Sequence, residues 1–190
     1  MKKKSLIQLL DIKYPIIMAP MFLVTNTKMM IEGMNSGIAA CIPALNYRTD
    51  ELFRDAIQEI RASTTSKGLG INLIVNKSNI KMQQQLKTCV EEGVDFIITS
   101  LGSPKHVIEK CKPKGIKVFC DVVEEKYAIK VEKLGADAII AVNCNAGGHA
   151  GKLTPEEIIP LLNKHCSIPV ISAGGIGTKD EINKIMDLGA

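Results

Sequence analysis

At 190 residues and 46% hydrophobic side chains, the chain is long enough to bury a sizeable core and too apolar for a disordered tail. The net charge of +4 is mild and, apart from Lys2-Lys3-Lys4, scattered, with no arginine-rich strip and no aromatic stacking set, so nucleic-acid binding is poorly supported. Six cysteines stand singly without a C-x-x-C pair, which argues against a zinc site and against thioredoxin-like chemistry. The apolar stretch after the basic N-terminus is soon broken by Asp11 and Lys13, so no signal peptide or membrane span is read, and a cytoplasmic protein with reduced thiols is expected.

Short Ile- and Val-rich runs recur along the chain. They are "YPIIMAPM" (14–21), "GIAACIPA" (37–44), "KGLGINLIV" (67–75), "VDFIITS" (94–100), "IKVFCDVV" (116–123), "ADAIIAVNC" (136–144) and "IPVISAGG" (168–175). Continuous apolarity, rather than alternation, is the mark of strands buried on both faces. The stretches between them carry helix signals. Thr154-Pro155-Glu156-Glu157 reads as a capping box with proline at the first helical position, Ser103-Pro104 as a similar start, and Thr178-Lys179-Asp180-Glu181 as another box. "EEGVD", "KPKGIK" and "EKLGAD" each place a glycine where a helix ends. Alternation at this spacing means parallel βαβ units. A (β/α)8 TIM barrel needs eight strands and usually about 250 residues. About seven strands fit here and the chain stops at "MDLGA", so the expectation is one barrel domain over residues 1–190, truncated after about seven strands, with the C-terminal strand and helix missing. An open doubly wound sheet is the other reading.

Catalytic groups of such barrels sit at the C-terminal strand ends. That rule selects Ala19-Pro20-Met21, Asn72, Ser100, Asp121, the segment from Asn143 to His149, and Ala173-Gly174-Gly175. His149, one of three histidines, follows Gly147-Gly148, where backbone can approach a ligand closely. A neutral imidazole there could take a proton or donate to an oxyanion; a surface-loop histidine of no consequence fits equally well. "SAGGIGTKDE" ends a strand in glycines before a capped helix, a ready phosphate site, or else a tight turn. Its glycine spacing is not a dinucleotide-binding fingerprint. Asn72 lies in a buried run, as part of a core network or as a cofactor contact.

"YPIIMAPM", "GLGINL", "NAGGHAG" and "PVISAGGIGT", in that order, resemble the nitronate monooxygenases, once called 2-nitropropane dioxygenases. The wider flavin-barrel group also holds enoyl-acyl-carrier-protein reductases and certain quinone reductases. The resemblance implies an FMN-binding barrel. Ala19, Pro20 and Met21 would lie against the flavin ring and Asn72 would contact it. Ala146 and Gly147 would approach the ring, Gly174 and Gly175 would hold the phosphate, and His149 would act on the substrate. Many relatives carry Gln or Glu and then Gly before the "AGGH" motif; Val142, Asn143, Cys144 and Asn145 occupy that stretch here.

The function this implies is FMN-dependent oxidation of alkyl nitronates with O2, giving a carbonyl compound and nitrite. The alternatives are an enoyl-thioester or quinone reductase of the same group, a phosphate-ligand lyase or isomerase, and an inactive fragment. The lack of a lysine at a strand end argues against Schiff-base lyases. A small-molecule substrate is expected, with no nucleic acid, membrane or metal partner, and a homodimer is left open.

Overall fold

The computed structural model describes residues 3–190, so Lys2 of the basic run lies outside the described residues. Seven strands alternate with helices: α1 (Leu6–Leu10), β1 (Ile17–Met18), α2 (Thr27–Asn35), β2 (Ala39–Pro43), α3 (Asp50–Ser63), β3 (Leu69–Ile74), α4 (Met82–Glu91), β4 (Phe96–Ser100), α5 (Lys105–Cys111), β5 (Lys117–Val122), α6 (Glu125–Leu134), β6 (Ala138–Val142), α7 (Pro155–His165), β7 (Val170–Ala173) and α8 (Lys179–Asp187). Each strand falls inside one of the seven apolar runs. This is the α/β fold of the TIM-barrel class. Residues group into two compact units, Ser5–Val118 and Phe119–Ala190, the second also taking in Lys3 and Lys4.

In the first unit β1, β2, β3 and β4 pair in chain order, all parallel, with Ile17 opposite Ala39, Ala40 opposite Leu69, and Gly70 opposite Phe96. All five residues of β2 and the first five of β3 are buried, which is why these runs show no polar alternation. The register puts Gly70 under an aromatic ring. A Cβ built there would sit 2.2 Å from Phe96 Cζ, so the glycine is what lets the buried Phe96 cross β3. Asp95 fastens the strand starts: its carboxylate accepts the amides of Gly68 at 2.9 Å and Leu69 at 2.8 Å and pairs with Arg61 at 3.2 Å. Helix α3 buries Phe53, Ala56, Ile57 and Ile60, one stripe at helical spacing, each large side chain contributing about 1.5–3 kcal/mol.

In the second unit β5, β6 and β7 again run parallel in chain order, with Phe119 opposite Ala138 and Ile139 opposite Val170. Pro155 opens α7, and the Glu157 carboxylate accepts the Thr154 amide at 2.8 Å. Thr178 and Glu181 cap α8 reciprocally. The expected glycine stops hold: Gly93, Gly115 and Gly135 all have positive φ. Ser103-Pro104 differs from expectation. Pro104 is the cap residue rather than the first helical one, and no side chain caps α5. Leu101 and Gly102 ahead of it both take positive φ, so the chain reaches the helix by a turn that leaves Ser103 outside it. No helix among the described residues is long and apolar enough to cross a membrane.

Candidate active site

The residues selected from the sequence fall in both units. Ala19, Pro20, Met21 and Asn72 belong to the first; Ala146, Gly147, His149, Gly174 and Gly175 belong to the second.

In the first unit, β1 ends at Met18, and Ala19 and Met21 are exposed. The chain then makes a tight turn that was not anticipated. Buried Thr25 accepts the Met21 amide through its hydroxyl at 2.9 Å, and the Met21 carbonyl accepts the amides of Val24 and Thr25. Asn46, just after β2, accepts the Leu23 amide at 2.9 Å and donates to the Thr25 carbonyl at 2.9 Å. Leu23 is held at φ 58 and is 71% exposed, an unusual conformation for a bulky residue. Asn72 is only 9% exposed and donates to the Ile98 carbonyl at 3.2 Å and to Ser100 Oγ at 2.8 Å. The core-network role of this amide is therefore real, and it ties the C-terminal ends of β3 and β4 together.

In the second unit a residue that the sequence did not single out for a role organises the rest. Asn143, directly after β6, is fully buried. Its Oδ1 accepts the Asn145 amide at 2.8 Å, and its Nδ2 donates to the Gly174 carbonyl at 3.0 Å and to Ser172 Oγ at 3.4 Å. Its own amide donates to the Ala173 carbonyl, and its carbonyl accepts the amides of Ala146 and Gly151. The available signal was an asparagine at a strand end before a glycine-rich loop, where its side chain closes a turn on the amide two residues on.

The glycines divide by role. A Cβ at Gly174 would lie 2.5 Å from both the Ala146 nitrogen and Asn143 Oδ1, and φ there is 121°. At Gly175, with φ 68°, a Cβ would meet Asn145 Cβ at 2.8 Å. Gly151, not selected from the sequence, admits no side chain because the Val142 carbonyl oxygen would be 2.3 Å away. Gly147 and Gly148 face open space, with nothing within 4 Å of a Cβ. They are not required by the chain's own packing, so any close approach they permit is to something from outside. His149 next to them is exposed.

The two amides just ahead of the helix that follows the Gly174–Gly175 turn are already occupied. Glu181 Oε2 accepts the amides of Gly177 at 2.8 Å and Thr178 at 2.9 Å and the Thr178 hydroxyl at 3.0 Å. Those amide bonds, Gly177 first, hold the Glu181 carboxyl below the usual carboxylate range. The amides of Gly175 and Ile176 donate to no such partner among the described residues. Successive open amides in a left-handed glycine turn make a small anion-binding nest, and a phosphate group fits that chemistry.

A family model for nitronate monooxygenase matches residues 3–190. The chain belongs to the nitronate monooxygenase family. Probable nitronate monooxygenases of Staphylococcus aureus strains JH9 and N315 are each 31% identical over 218 residues, covering 92% of this chain and 61% of theirs. The chain thus spans about three fifths of the length of these curated relatives. Among solved structures, FabK from Thermotoga maritima superposes with a TM-score of 0.91 at 30% identity, over 100% of this chain and 60% of that one. A nitroalkane oxidase from Streptomyces ansochromogenes gives 0.88 at 20% identity, over 98% of this chain and 65% of that one, a likeness of fold alone.

Proposed function

We propose that this family member is a cytoplasmic FMN-dependent oxidoreductase that oxidises alkyl nitronates with O2 to a carbonyl compound and nitrite. The observation that carries this reading is the Gly174–Gly175 turn, with its positive φ and open amides, packed directly against the loop that bears His149. The amides of Gly175 and Ile176 would hold the FMN phosphate. Gly147, which has no neighbour to clash with, would let the flavin ring come close, with Ala146 beside it. FMN, when bound, supplies the redox chemistry, while the protein supplies position and electrostatics. The exposed His149 would orient the nitronate anion or hold a proton beside it.

An absorption spectrum of the purified full-length protein, followed by a nitrite-release assay on an alkyl nitronate, tests the reading. A flavin band together with nitronate-dependent nitrite supports it. A colourless protein that takes up no added FMN removes it. Reduction of an enoyl thioester at the expense of a reduced nicotinamide, without nitrite release, would replace it with the reductase activity of the same barrel group.

A further inference from the structure

We infer that Asn143 is a positioning residue that couples the Gly174–Gly175 turn to the loop carrying His149. Among the described residues, three of the four backbone amides that tie residues 144–151 down end on this one residue: Asn145 on its side-chain Oδ1, and Ala146 and Gly151 on its main-chain carbonyl. The fourth, from Cys144, goes to the Leu153 carbonyl. The other end of the same carboxamide reaches the turn, through Nδ2 to the Gly174 carbonyl at 3.0 Å. Ala146 and Asn143 Oδ1 also fill the space a side chain at Gly174 would need. The loop and the turn therefore cannot shift independently.

A neutral carboxamide serves both ends at once and needs no proton to do so. Oδ1 must accept from an amide while Nδ2 donates to a carbonyl. An ionised aspartate keeps the acceptor and sets a negative charge against the Gly174 carbonyl oxygen. A serine is too short to span the two segments. Because Asn143 is fully buried, the lost contacts would not be replaced by bulk water. On the proposed reading of FMN phosphate at the turn, which this inference extends, an anion seated on Gly175 would stiffen the His149 loop through Asn143.

Hydrogen exchange on the full chain, with and without FMN, tests this. Without ligand, Asn143→Leu, which removes both ends of the carboxamide at similar size, is expected to speed exchange of the Asn145 amide, which loses its acceptor, and of the Gly151 amide in the loosened loop by about tenfold or more, with helices α6 and α7 unchanged. With FMN, the parent is expected to slow exchange at these two amides, and the variant to bind FMN without slowing them. In turnover, Asn143→Leu is expected to lower kcat in the parent background and to cost little more once His149→Ala is present, because it acts through that loop. Equal ligand-free exchange in variant and parent overturns the inference, as does equal protection by FMN in both. If the parent takes up no FMN, the proposed function fails, while the ligand-free comparison still decides whether Asn143 holds the loop. Should Asn143→Leu not fold, Asn143→Ser carries the same expectations.

Discussion

The carboxylate of Glu181 lies 2.8 Å from the Gly177 amide nitrogen and 2.9 Å from that of Thr178. The protein's own side chain thus takes the two amides just ahead of α8, and an anion bound at the Gly175 and Ile176 amides would lie next to a negative charge. Glu181→Gln removes that charge while keeping a carbonyl oxygen for the cap. It should tighten FMN binding by roughly three- to tenfold at low salt, with the gain shrinking as salt is added. Flavin-fluorescence titration measures it, and an unchanged Kd would place the phosphate away from this helix.

The same contact sets a pH dependence. The folded state holds the Glu181 carboxyl below its ordinary value of 4.5, so the cap's contribution is full above that value and is lost as pH falls through the lower, folded-state value. Amides in the first turn of α8 should therefore exchange faster, relative to the rest of the chain, as the solution is acidified below the usual carboxylate range. Glu181→Gln should flatten that dependence.

Gly70→Ala tests the packing of β3 on β4. The new methyl would lie 2.2 Å from the Phe96 ring, which is fully buried and closely surrounded. A loss of about 1–3 kcal/mol in denaturant unfolding is expected from overpacking. An unshifted midpoint would mean the ring can turn aside.

His149→Ala should separate chemistry from cofactor retention. The imidazole is exposed, while the Gly174–Gly175 turn is held by Asn143 and not by His149. Turnover on a nitronate should fall by a factor on the order of 10²–10⁴, the usual worth of a positioned acid or base, with the flavin-to-protein ratio after gel filtration unchanged. Parent-like turnover would remove His149 from the mechanism.

Thiol labelling should mark a single position. Cys144 is exposed, whereas Cys41, Cys89, Cys111, Cys120 and Cys166 are buried. Burial, with Glu132 beside it, pushes the Cys166 thiol up to about 11, and burial raises the Cys89 thiol as well. Iodoacetamide at mildly alkaline pH should add one group, on Cys144, readable by peptide mass. Rapid labelling of a second cysteine would reveal an opening that the packing does not suggest.

The seven strands could be read in advance because strands buried on both faces leave continuous apolar runs, and the caps at Thr154 and Thr178 because their partners lie three residues on. What could not be read depends on contacts distant in sequence. Gly70 is a glycine because of Phe96, 26 residues later, and Gly174 because of Ala146, 28 residues earlier. Asn46 holds the turn at Leu23 from the loop after the next strand. For Gly147 and Gly148 the reverse holds. They stood out in the sequence, yet nothing in the folded chain presses on them.

The strand order has a bearing on how the chain comes into being. In Ser5–Val118 every strand pairs with its immediate successor, β1 with β2, β2 with β3 and β3 with β4. No strand in that unit has to wait for a distant partner, so each βα segment can dock on the preceding one soon after it leaves the ribosome. Loop closures stay short, and the span of time in which an apolar strand such as β3 lies bare during synthesis stays short with them.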